Sequence, residues 1–277
     1  MYRRGARRRC VPWGDRGQHA VSPLPGGVGP APYVPQNHRL YGADAGPVVT
    51  LQQAGWALMF VVLYVAAACG VILVLGLTGL VDFTLELLVP VLLGTVTAAA
   101  LAALSVHLVR RNHLTPAQLG FRRPGPRMTH LLWQIPAAIL GALVLQGVFL
   151  AVLGLTGFDI DAAPTTNDPL ADLAGLPVPV VLFVVLVVAV LTPLWEEALF
   201  RGAFLDGLGR RFRPALAVLL SAALFAAVHL VVVGFAYLFA LGVALALLRR
   251  FHGNLWAPIL LHAVNNGLAV LIVLSGT

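Results

Sequence analysis

Three polar clusters interrupt otherwise apolar stretches of the chain, and their residue types carry acid–base chemistry: Glu196, Glu197 and Arg201; His229; and His262 with Asn265 and Asn266. Glu197 and Arg201 stand one helical turn apart with the acid first, the favourable order for a helical ion pair that neutralises both partners in a low-dielectric setting. Glu196 points about 100° away on the same helix and has no cation at that spacing, which makes it a candidate proton acceptor. His262 and Asn266 share one helical face, where an imidazole and an amide can each direct an N–H at one oxygen, as an oxyanion hole requires. Asn265 points off that face. Pro193, just before the acids, removes a helical hydrogen bond and predicts a kink or a water-accessible break. Two His and one Glu also make a possible Zn set, although the H-E-x-x-H pattern of helical zinc peptidases is missing. There is no G-x-S-x-G elbow, and Ser105 and Ser221 have no base on the same turn.

The elements that must hold these groups are membrane spans. Apolar residues make up 59% of the 277 positions and charged residues 10%, against about 45–50% and about 25% in soluble domains. That balance excludes a soluble enzyme, a nucleic-acid reader and a secreted disulfide scaffold; Cys10 and Cys69 are too few and too scattered for a disulfide framework or a Cys-ligated metal. Charge-free runs cover 45–81, 87–109, 131–158, 173–195, 214–248 and 255–277, each as long as the roughly 20 residues that cross a hydrocarbon core. They predict an all-α bundle of seven helices near 54–80, 83–109, 130–155, 178–208, 214–232, 235–249 and 255–275. The run 214–248 is short for two crossings and calls for a tight turn near Val233 and Gly234 with one short helix.

All 18 basic residues are arginine, a bias expected of a GC-rich bacterial coding sequence. They fall between the apolar spans, so the positive-inside rule accounts for them and no nucleic-acid partner is expected. Arg110, Arg111, Arg122, Arg123 and Arg127, then Arg210, Arg211 and Arg213, then Arg249 and Arg250 mark one side, while Asp159, Asp161, Asp168 and Asp172 mark the other. One topology satisfies every charged loop: an N-terminus inside a bacterial plasma membrane and a C-terminus outside. Residues 1–47, with seven Pro, eight Gly and seven Arg, read as a disordered basic cytoplasmic tail without a signal-peptide core, followed by a membrane domain over 48–277. Trp56, Trp133 and Trp256 fit interfacial belts, and His107, His113, His130 and His252 read as interfacial.

Depth along each helix tests whether the clusters can meet. If the fourth helix continues to Leu208, Glu196 lies about 18 Å from the arginine-rich face, in register with His229 at about 22 Å from Pro214. His262 lies only about 12 Å past Asn254 and joins them if its helix is tilted or starts below the surface.

The three clusters together resemble the motifs of the CPBP family, the CaaX prenyl endopeptidase and bacteriocin-processing intramembrane proteases. Glu196-Glu197-Ala-Leu-Phe-Arg201 fits E-E-x-x-x-R, Phe225-Ala-Ala-Val-His229 fits F-x-x-x-H, and His262-Ala-Val-Asn-Asn266 fits H-x-x-x-N. The resemblance spans 196–266, and the first three helices carry no motif. It implies an intramembrane endopeptidase in which Glu196, with His229, activates water, while His262 and Asn266 stabilise the oxyanion. Glu197 and Arg201 would support the site and Phe225 would pack beside His229. The substrate would be a peptide or membrane protein in contact with the lipid bilayer. No metal is expected to be obligatory, with a divalent ion such as Zn as the alternative. Prenyl-directed activity is not carried over, since bacteria usually lack protein prenylation. Two other functions remain open: a non-proteolytic scaffold or immunity factor of the same fold, and a proton-coupled transporter using Glu196 and His229 as a relay.

Overall fold

The computed structural model describes residues 49–160 and 175–275; the tail over 1–47 and the loop residues Asp161, Asp168 and Asp172 lie outside the described residues. Every regular element described is helical: α1 (Leu51–Leu77), α2 (Leu85–Arg110), α3 (Pro116–Leu119), α4 (Pro126–Leu155), α5 (Val178–Gly209), α6 (Pro214–Ala227), α7 (Phe235–His252) and α8 (Trp256–Ser275). All but α3 and α6 are long and apolar enough to cross a membrane. The expected all-α polytopic bundle is what forms, and the protein is an integral membrane protein.

Local chemistry sets the helix starts. Thr50 and Gln53 form a reciprocal capping box at α1, and Thr115 and Gln118 repeat it at α3. The single turn of α3 was not anticipated within the arginine-rich loop. It ends on Gly120 at φ 108°, where a Cβ would lie 2.6 Å from the Arg249 guanidinium, so only glycine fits the conformation and the space.

Helix α5 runs through the whole site. It contains two π-helical stretches, Val187–Leu191 and Ala198–Phe204, on either side of Thr192–Glu197. In the first, the N–H of Thr192 reaches back to the carbonyl of Val187. The next donor in that register is Pro193, which has no N–H. The break expected at Pro193 is therefore a widened turn that leaves the Val188 carbonyl available to another helix. Helix α5 does continue past Arg201, to Gly209, as the depth argument required.

Two helix ends differ from expectation. Helix α6 stops at Ala227 rather than near 232, because the chain turns back through 228–234 with Leu230 in the left-handed conformation at φ 57°. His229 therefore sits on this turn and not on a helix. The 35 residues from 214 to 248 cannot make two perpendicular crossings, and the short helix plus turn resolves that shortage. Gln146 of α4 anchors the turn: its amide donates to the Val233 carbonyl at 2.5 Å and its oxygen accepts from the Tyr237 N–H at 2.8 Å, satisfying an otherwise orphaned donor in the first turn of α7. Helix α8 begins below the protein surface, since Asn254 and Leu255 are buried and the Leu255 N–H donates to the Gly120 carbonyl at 2.8 Å. That burial removes the depth mismatch foreseen for His262.

Helix α7 packs against α4, α6 and α8, while α1 packs against α2 and the second half of α5. Gly242 lets α7 approach α6 so closely that a Cβ there would stand 3.0 Å from the Ala222 Cα. Leu199, Phe200, Phe225, Leu241, Leu245 and Leu261 fill the centre, whereas Leu132, Leu155 and Leu77 point outward as lipid-facing side chains.

Candidate active site

Helices α5 and α8 and the turn that follows α6 carry the three clusters. Glu197 is fully buried and its Oε1 accepts from two donors, Arg201 Nη1 at 2.9 Å and His262 Nδ1 at 2.9 Å. The ion pair expected from the one-turn spacing thus forms, and it gains a third partner from α8. Arg201 is also fully buried. It donates through Nη2 to the Gly242 carbonyl at 3.1 Å and lies 4.4 Å from the centre of the Phe225 ring, a cation–π distance.

Glu196 is placed differently. It is buried, its Oε2 has no hydrogen-bond partner, and the nearest basic nitrogen is His262 Nε2 at 3.7 Å, too long for a hydrogen bond. The adjacent carboxylates are held differently: each has an Oε2 without a partner, but Glu197 accepts two hydrogen bonds through Oε1, whereas Glu196 makes none among the described residues. Burial of an ionisable group without such a commitment is costly and points to a chemical use.

His229 Nδ1 donates to the Phe225 carbonyl at 2.7 Å, which leaves Nε2 with a lone pair. Among the described residues no hydrogen bond or ion pair joins His229 to either glutamate. The link between them is the Phe225 ring, whose centre lies 4.8 Å from the His229 ring and 5.7 Å from that of His262, edge-on to both. Phe225 is a buried wall between the two imidazoles.

Asn266 lies beside His262 on α8 and donates to the Val188 carbonyl at 2.9 Å, the group released by Pro193. One amide hydrogen is thereby spent and the second remains. Asn265, read as lying off the motif face, joins the network: its amide donates to Asn266 Oδ1 at 3.3 Å, and the Tyr237 hydroxyl donates to Asn265 Oδ1. Tyr237 and Gln146 were both missed by the sequence reading. The available signal was their polarity within long apolar runs, which in a bilayer requires a partner.

Ser221 is buried and donates to the Phe200 carbonyl at 3.3 Å, and Ser105 donates to the Ala102 carbonyl at 3.0 Å, so both hydroxyls serve the backbone. His262 Nδ1 donates to Glu197 and His229 Nδ1 to a carbonyl, contacts that orient each ring and leave its Nε2 for chemistry. Among the described residues no three His, Cys, Asp or Glu side chains gather as a ligand set.

Residues 178–268 match the family model described as type II CAAX prenyl endopeptidase, Rce1-like. The chain carries an Rce1-like segment. It runs from the start of α5 into α8, contains all three motifs, and covers about a third of the chain, leaving α1, α2 and α4 outside. No curated protein and no solved structure matches the chain. The Rce1-like segment supports a CAAX-type intramembrane protease in general terms, and the resemblance to the CPBP family holds over it.

Proposed function

We propose that the protein is an intramembrane endopeptidase that hydrolyses a peptide bond with water activated by Glu196. The observation that carries this reading is the pair of unlike carboxylates: Glu197 locked through Oε1 between Arg201 and His262, and Glu196 buried with no hydrogen bond among the described residues. In the reaction Glu196 takes a proton from water, the oxygen attacks the carbonyl carbon, and a tetrahedral oxyanion forms. The same proton then passes to the leaving amine as the C–N bond breaks, which regenerates the carboxylate.

His229 Nε2, with its lone pair, is the second acceptor and orients the water. His262 has Nδ1–H committed to Glu197, so it offers an N–H to the oxyanion from Nε2 when the ring carries its second proton. Asn266 supplies its remaining amide hydrogen. Phe225, Glu197 and Arg201 hold these groups in place. The mechanism we propose uses no metal, and a chelator tests that choice.

The orientation we propose puts the arginine-rich loops in the cytoplasm of a bacterial cell. The substrate is a peptide or membrane protein that reaches the site within the bilayer. The test is a purified, reconstituted protein offered a membrane-tethered peptide library, with and without a chelator. The expected result is cleavage that the chelator leaves unchanged and that His229→Ala lowers by about 10²-fold or more. Loss of cleavage on chelation, restored by Zn, would overturn the metal-free mechanism.

A further inference from the structure

A second polar constellation lies away from the glutamates, at the arginine-rich end of α4 and α7. These helices face each other through the small side chains Ala138 and Ala244, which leave a groove of about 320 Å³ lined also by Trp133, Gln134, Leu247 and Phe251. Trp133 is 60% exposed and Leu247 53%, so the groove opens towards lipid. The volume is at the lower end for ligand sites and suits one acyl chain better than a compact polar ligand.

The mouth of the groove holds one cation, Arg127, and two imidazoles. Arg127 stands 5.9 Å from the centre of the Phe251 ring, and the His130 ring meets Phe251 edge-on at 5.7 Å. The Trp133 indole donates to His130 Nδ1 at 3.4 Å. His252 donates through Nε2 to Gln134 Oε1 at 2.8 Å, while its buried Nδ1 has no hydrogen-bond partner. Among the described residues no carboxylate pairs with Arg127, His130 or His252; Asp206, on the same end of the bundle, is engaged by Arg249. Trp133 follows Arg127 by six residues, a drop of about 9 Å at helical rise, which matches a charged headgroup above an interfacial indole.

We infer that this groove is a binding site for an anionic phospholipid, with the phosphate at Arg127 and the Nε2–H of His130 and one acyl chain between α4 and α7. Basic pockets between membrane helices bind acidic headgroups in this way. The complement is both electrostatic, the Arg127 guanidinium without a balancing acid beside the His130 ring, and steric, an apolar slot directly beneath them.

The experiment uses the full chain in detergent, supplied with phosphatidylglycerol or phosphatidylcholine, and counts retained lipid by native mass spectrometry. The wild type is expected to retain phosphatidylglycerol in preference to phosphatidylcholine. Arg127→Ala should lower that preference about fivefold, the effect of one basic group near a headgroup, and Arg127→Lys should keep it. Leu247→Trp, which fills the slot, should lower retention of both lipids. Arg123→Ala, an exposed arginine of the same loop, should change nothing. Circular dichroism of each variant separates loss of the site from loss of the fold. Equal retention of the two lipids by the wild type, no effect of Arg127→Ala, or an equal effect of Arg123→Ala would overturn the proposal.

Discussion

His262 Nδ1 donates to Glu197 Oε1 across 2.9 Å, and that bond turns the other ring nitrogen towards Glu196, with Nε2 3.7 Å from Oε2. A carboxylate that is itself pinned by Arg201 thus orients the imidazole beside the uncommitted one. Glu197→Gln removes the charge but keeps the shape, leaving Arg201 buried without its counterion. The expected cost is about 3–5 kcal/mol of stability, read as a fall in the unfolding midpoint in detergent. In a double-mutant cycle, Glu197→Gln combined with Arg201→Met should be less destabilised than the sum of the single variants. Additivity would mean that the two side chains act independently.

Asn266 is expected to have two separable roles. Asn266→Ala orphans the Val188 carbonyl, a loss of about 1–3 kcal/mol, and removes an oxyanion donor, a loss of about 10²–10³ in turnover. Pro193→Ala restores a backbone N–H in register with Val188. The double variant should therefore recover stability but not cleavage. Recovery of both would show that Asn266 serves only the backbone.

Much of this was legible in the sequence, for a physical reason. A bilayer demands long apolar runs and lets charge appear only at their ends or where it is used, so the spans and the Glu197–Arg201 pair followed from spacing. The site's connections were less legible. The π-helical stretches of α5 leave no hydropathy pattern, so Val188's exposed carbonyl could not be anticipated from Pro193 alone. His229 left its helix because Leu230, a residue type with no preference for it, adopts the left-handed conformation. The Tyr237–Asn265 bond links positions 28 apart, and such a pairing depends on how α7 and α8 are rotated against each other, which composition does not encode.

Phe225 touches both imidazoles and Arg201. Phe225→Leu keeps much of the volume but removes the aromatic face. A modest stability loss of under about 1.5 kcal/mol is expected, with a larger fall in cleavage because the His229 ring loses its edge-on support. Thermal unfolding and turnover measured on the same preparation check this. Equal proportional losses would mean that Phe225 is only packing.

The central claim is that Glu196, and not its neighbour's charge, takes the proton from water. Its most direct test is single-turnover cleavage of a membrane-tethered peptide library in proteoliposomes by the wild type and by Glu196→Gln, with helicity and unfolding midpoint measured alongside. The expected result is a folded variant whose cleavage falls by about 10²–10⁴-fold. Cleavage by Glu196→Gln at the wild-type rate, or no cleavage by the wild type, would contradict it.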